Sequence, residues 1–156
     1  MKYGIFLVIT ILILSLYFAS FAQYDRCDTT FVGNDTAVVC TSFFSSNNVE
    51  AVRRYINGKR NGYTRTYYNN GQLSGILHYK NGCLVDTVKE YHPNGAKKRI
   101  APYVNCEWHG TKYTWDSTGF LTAVMPYHHG KRVGTHKYWY PDGKVKSMEN
   151  FDSLSR

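Results

Sequence analysis

Tyr55, Tyr79, Tyr103, Tyr127 and Phe151 stand 24 residues apart, with no insertion or deletion between them. Other positions keep the same step: Gly58, Gly82, Cys106 and Gly130; Gly62, Asp86, Gly110 and Gly134; Tyr67, Tyr91, Trp115 and Trp139; Gly71, Gly95, Gly119 and Gly143. Five registers kept over four copies describe an array, in which one small unit is laid down repeatedly and each buries its apolar side on the next. Carried backwards, the step finds Phe31, Phe43, Asn47 and Val49 in place of Tyr55, Tyr67, Gly71 and Leu73. A degenerate first copy is therefore expected over about residues 31–54, with an atypical sequence that suits a cap.

Each copy holds two turn signals. One is Asn-Gly, Asn-Gly, Asn-Cys and His-Gly at 57–58, 81–82, 105–106 and 129–130; the other is Asn-Gly, Asn-Gly, Thr-Gly and Asp-Gly at 70–71, 94–95, 118–119 and 142–143. Such pairs favour positive φ and tight hairpin turns. The segments between them are rich in Tyr, Thr, Val, Ile and Trp, which suit a pleated surface. Glycine recurs too often for helices, and no run keeps a 3.6-residue period. The expected fold is all-β: an elongated, single-layer antiparallel meander of about five 24-residue β-hairpin repeats. Leu73, Leu121 and Val145 share parity with Leu77, Met125 and the tyrosines 79, 103 and 127. Val52, Ile76, Ile100, Val124 and Met148 form an apolar register of opposite parity. In a flat strand these two sets face opposite ways. Either a bulge resets the face, or both faces are partly covered.

Residues 1–22 read as a signal peptide, with Lys2, an apolar run over Ile5–Phe18, and Ser20 and Ala22 as the small residues before Gln23. The uncharged stretch 4–22 is also long enough to serve, alternatively, as an N-terminal membrane anchor. The expected organisation continues with residues 23–54 carrying the capping repeat, four repeats over 55–151, and a tail at 152–156. The expected destination is the periplasm, the cell surface or the medium. The chain has 19 Lys and Arg against 11 Asp and Glu, a net charge of +8. Much of the excess lies between Lys97 and Lys146. An exported basic surface suits an acidic protein, a glycan or an anionic membrane surface rather than nucleic acid; a solvated surface without a charged partner is the plain alternative. Export also permits disulfides among Cys27, Cys40, Cys83 and Cys106. Cys27 and Cys40 are close enough to pair across a hairpin. Equivalent positions in adjacent hairpins lie two strands apart, roughly 9–10 Å, beyond the roughly 7 Å that a disulfide spans. A Cys83–Cys106 bond would therefore need the turns to pinch together, and Cys27–Cys40 is the preferred bond.

The pattern YxNGxxxGxxxxYYxNGxL, Tyr55 to Leu73, resembles the MORN repeat, and more closely the bacterial variant found in the YwqK-like antitoxin family. The matching copies are YINGKRNGYTRTYYNNGQL, YKNGCLVDTVKEYHPNGAK, YVNCEWHGTKYTWDSTGFL and YHHGKRVGTHKYWYPDGKV. The resemblance implies stacked hairpins in a single-layered sheet, with roles in protein binding, membrane association or toxin neutralisation, and no catalysis through the repeats. The sequence departs from the pattern at Asp86 and Cys106, which replace glycines, and at Lys97, which replaces the apolar residue after a turn. An export signal also fits poorly with an antitoxin whose target is cytoplasmic.

Candidate sites follow from the registers. The six histidines fall at different phases, so a shared row of ligands is not expected, and His128-His129 reads as a solvated turn. There is no paired-carboxylate, HExxH or GxSxG arrangement, so neither catalysis nor a cofactor or metal is expected. The aromatic rows suit packing in a thin sheet, with Trp115 and Trp139 as the alternative ligand platform. Arg65, Lys89 and Lys137 share one phase, Lys98 and Lys146 another; these are the candidate contacts for an anionic partner, weighed against ordinary solubilising charge. The favoured function is a non-catalytic binding or scaffold module for a protein partner. Toxin neutralisation and binding to an anionic membrane surface are the alternatives.

Overall fold

The computed structural model describes residues 25–152. The expected signal peptide at 1–22 and the last residues of the expected tail lie outside the described residues. The chain runs as β1 (Asp25–Val32), β2 (Asp35–Phe43), β3 (Val49–Ile56), β4 (Lys59–Arg60), β5 (Gly62–Tyr67), β6 (Leu73–Lys80), β7 (Cys83–Tyr91), β8 (Lys97–Val104), β9 (Glu107–Trp108), β10 (Gly110–Trp115), β11 (Leu121–His128), β12 (Lys131–Arg132), β13 (Gly134–Trp139) and β14 (Val145–Phe151). All pair antiparallel in one open sheet, in chain order. The short β4, β9 and β12 are arms that fold back on β3, β8 and β11. The fold is the expected meander, and none of the described residues forms a helix.

The two turn families do different work. At the arm edge, Asn57 and Gly58 have φ of 49° and 74°, and the same pair of positive angles recurs at Asn81-Gly82, Asn105-Cys106 and His129-Gly130. These are two-residue hairpin turns whose twist matches that of the flanking strands. At the other edge, Gly71 N–H donates to the Tyr68 carbonyl at 2.8 Å, and the same closure recurs at Gly95, Gly119 and Gly143. In the degenerate first copy Asn47 takes this place with φ of 64°, its N–H donating to Phe44.

A bulge in every copy resolves the question of parity. Thr66 opposes Gly75 but Tyr67 opposes Leu73, so Ser74 is the extra residue. The same slip makes Glu50, Lys98, Thr122 and Lys146 extra. Leu73, Leu121 and Val145 therefore sit opposite Tyr67, Trp115 and Trp139. They share a face with Ile76, Val124 and Met148, not with Leu77 and Met125.

One face, here the packed face, carries the core. Ala51, Thr64, Val88, Ala101, Ala123, Met125, Tyr127 and His136 are all buried, Ala101 and His136 completely. Small side chains in the sheet middle lie under an edge ladder in which each copy's aromatic meets an arm residue: Tyr55 opposes Arg60, Tyr79 Leu84, Tyr103 Trp108 and Tyr127 Arg132. Trp108 and Tyr127 meet edge-on with centroids 4.8 Å apart, and His136 bridges from Tyr127 to Phe151. Edge-to-face contacts of this kind add about 0.5–1.5 kcal/mol each beyond burial.

Cys27 and Cys40 are directly opposed and bonded, with Cα atoms 4.1 Å apart. Cys83 and Cys106 are also bonded, at 4.7 Å, against the expected separation of two strands. Cys106 is the second residue of its turn, and Cys83 is the first residue of β7, just after the turn before it. Continuing the β7–β8 register outward from Asp86 opposite Tyr103 puts the two cysteines face to face. They stand at the facing ends of neighbouring strands, one beyond the end of β8 and one at the start of β7, so the turns need not pinch.

Candidate functional site

The face opposite the core, the open face, carries a row that crosses the sheet without a break. Val52 opposes Arg65, Arg65 opposes Ile76, and the succession continues through Lys89, Ile100, Tyr113, Val124 and Lys137 to Met148. Aliphatic residues come from β3, β6, β8, β11 and β14; cations and Tyr113 come from the strands between them. This alternation follows from the hairpin itself. One 24-residue copy contributes one strand of each kind, so a cation phase and an aliphatic phase interleave when copies stack. Arg65, Lys89 and Lys137 are exposed, while Val52, Ile76, Ile100 and Val124 are half-buried between them.

Two shallow hollows flank this row. The first is lined by Tyr63, Arg65, Ile76, His78, Asp86 and Lys89, among others. In it Tyr63 stacks on His78 at 4.4 Å and the Arg65 guanidinium lies over the Tyr63 ring at 6.0 Å. The second is lined by Tyr113, Val124, Pro126, Lys137 and Trp139, among others. Trp115 stacks on Tyr113 with centroids 5.9 Å apart. Each hollow thus offers a cation, an aromatic surface and an aliphatic floor, a set that receives a carboxylate and packs on its stem.

The structure divides the seven residues picked from sequence. Arg65, Lys89, Lys137, Trp115 and Trp139 gather on the open face. Lys98 and Lys146 are bulge residues, which share a side with the residue they bulge against. Lys98 lines a hollow with Tyr68, Leu77 and Glu90, and Lys146 one with Arg132, Tyr138 and Glu149, both on the packed face. There Lys146 reaches the Tyr140 ring at 5.8 Å. Lys112 also belongs to the packed face, in the row of Thr64, Val88 and His136. Burial, followed by the nearby Arg99, lowers its pKa, and its ammonium lies 4.5 Å from the Trp108 ring.

The histidines keep different phases and form no row along the repeats, yet three of them meet at one junction. His109, His128 and His129 converge, with one ligand nitrogen of each within 4.8 Å of the others. Phase compares a residue with its copy 24 positions on, whereas neighbours across a hairpin are set by antiparallel register. Extending β10–β11 outward from Gly110 opposite Tyr127 places His109 opposite His128. Tyr63 was also passed over as a site residue; its position two residues before Arg65 is the signal that would have found it.

The MORN repeat variant matches this chain in three places, residues 60–81, 87–105 and 132–153. Over those three stretches the hairpins are similar to MORN-type repeats. No curated protein matches the chain. The unmatched stretch between the second and third matches, residues 106–131, begins at Cys106, where the turn glycine is replaced, and contains His109, His128 and His129. The first copy, before residue 60, also lies outside the matches.

Proposed function

We propose that this chain is an exported, non-catalytic MORN-type binding module that receives an acidic protein surface on its open face. The observation that carries this reading is the cross-sheet row from Val52 to Met148, in which exposed cations alternate with aliphatic residues. The row crosses nine strands, about 38 Å at roughly 4.8 Å per strand. A standard protein interface covers about 800 Å² on each partner, roughly 28 Å on a side. The row is thus long enough to span such an interface, and its charges would select acidic partners and speed their approach. The resemblance to YwqK-like antitoxins makes an exported toxin one candidate for the partner.

The test compares the full chain with a variant carrying Arg65→Glu, Lys89→Glu and Lys137→Glu, both used as bait in envelope extract. The wild type is expected to retain a partner in stoichiometric amount, and the variant to lose it. Equal recovery by the two, or none by either, defeats this reading. Sedimentation with anionic vesicles that disappears in high salt would move the function to the membrane surface. Growth rescue on co-expression with a neighbouring toxin would make the module an antitoxin.

A further inference from the structure

We propose that His109, His128 and His129 form a binding site for a divalent transition metal of the zinc class, which clasps one repeat to the next. The three ring centroids form a nearly regular triangle, 4.8 Å from His109 to His128, 4.7 Å from His109 to His129 and 4.6 Å from His128 to His129. Zinc bonds imidazole nitrogen at about 2.0–2.1 Å, so tetrahedral ligand nitrogens stand roughly 3.4 Å apart. The ligand atoms here lie within 4.8 Å of one another. His128, the last residue of β11, and His129, the first of the turn, are both exposed, and a modest turn of their rings closes the difference.

Two further observations point to a ligand. His109 Nδ1 is buried without a hydrogen-bond partner, a costly arrangement that a bound cation or its water would relieve. The Glu107 carboxylate stands 3.4 Å from His129 Nδ1. It can fix that ring's tautomer and leave Nε2 for the ion, as carboxylates behind metal-binding histidines do. Three imidazoles leave a fourth position for water or an outside ligand.

The position within the array suggests what the site is for. Gly130 N–H donates to the Trp108 carbonyl at 2.9 Å, which docks the turn of one copy on the arm of the copy before. The same junction one repeat earlier is where Cys106 N–H donates to Leu84, and there Cys83–Cys106 provides a covalent staple. Glu107 and Gly130 stand where those cysteines would recur, 24 residues on. The imidazole cluster takes over at the next junction as a metal-dependent staple.

The test is calorimetric titration of untagged, disulfide-intact full chain with zinc chloride, alongside thermal unfolding with and without zinc. One equivalent is expected to bind at micromolar concentration or tighter, and the thermal midpoint to rise by about 5 °C or more at saturation. His128→Gln, a change at the exposed end of β11, should weaken binding at least tenfold while the metal-free midpoint stays unchanged. His109→Gln should do the same to binding, and His92→Gln should leave it intact. Absence of saturable binding below about 0.1 mM overturns the site. So does unchanged affinity in His128→Gln, or equal loss in His92→Gln, since either marks ions scattered over surface imidazoles.

Discussion

Two side chains show where single residues work against or with the repeat. Asp86 takes the place of Gly62, Gly110 and Gly134, with φ of 60°. A residue with a Cβ pays roughly 1–2 kcal/mol for that backbone, less for aspartate than for most. In return Asp86 accepts a hydrogen bond from His78 Nδ1, but its side chain is 68% exposed, and exposed pairs are worth about 0.2–1 kcal/mol. Asp86→Gly is therefore expected to raise the urea midpoint, by no more than about 1 kcal/mol of stability; a lower midpoint would mean that the His78 pair outweighs the backbone. Asp116 works the other way. Its Oδ1 accepts from the Thr118 hydroxyl at 2.6 Å and from the N–H groups of Thr118 and Phe120 at 2.9 and 3.0 Å. These bonds, the Thr118 hydroxyl first, hold its carboxyl below the usual range. A depressed carboxylate adds stability above its unfolded pKa and loses it as pH falls through the folded one. Asp116→Ala should melt lower than wild type at pH 7, and melts repeated down to pH 3 should show the gap closing as wild-type Asp116 protonates.

At the level of strands and turns, the 24-residue step made the hairpins and both turn families legible, because glycine and asparagine at fixed offsets dictate positive φ there. The bulge left no such mark: its extra residue is Glu, Ser, Lys, Thr or Lys in successive copies, so only the clash of parities between Leu73 and Ile76 hinted at it. The sequence also carried the Cys83–Cys106 bond and the His109–His128 meeting, in sums of positions rather than differences. Antiparallel partners share a constant sum, and the repeat step hides it. The open-face cations were legible for the opposite reason: Arg65, Lys89 and Lys137 keep phase, and stacking preserves phase. The edge strand β1 offers a prediction of its own. All eight of its residues are exposed, Phe31 by 78% and Val32 by 61%, so it holds to the sheet through β2 and the Cys27–Cys40 bond. In a Cys27→Ser/Cys40→Ser variant, amide exchange should quicken over residues 25–32 by at least tenfold while β6 to β11 keep their protection. Equal loss throughout would make that bond a determinant of global stability instead.

As a whole molecule, the sheet is a line of hairpins in which each strand meets its sequence neighbours, so stability should behave as a sum over copies and junctions. The two ends of that line are not equivalent. The N-terminal hairpin presents β1 entirely to solvent, and its buried side chains are small, Ser42 on the packed face and Ala37 on the open one. The C-terminal hairpin supplies His136, completely buried between Tyr127 and Phe151, with its Nε2 2.8 Å from the Pro126 carbonyl. Removing β13 and β14 would uncover Tyr127, a residue only 8% exposed, and full exposure of a large apolar side chain costs about 1.5–3 kcal/mol. Chains lacking residues 25–43 or residues 133–152 should both remain folded, since strands across the rest of the sheet keep their partners. The second truncation should lose more, with a urea midpoint below that of the first and a smaller m-value than the full chain in proportion to the surface removed. Collapse of both truncations to unfolded chains would show that the sheet is one indivisible unit, and the additive picture of its repeats would fail.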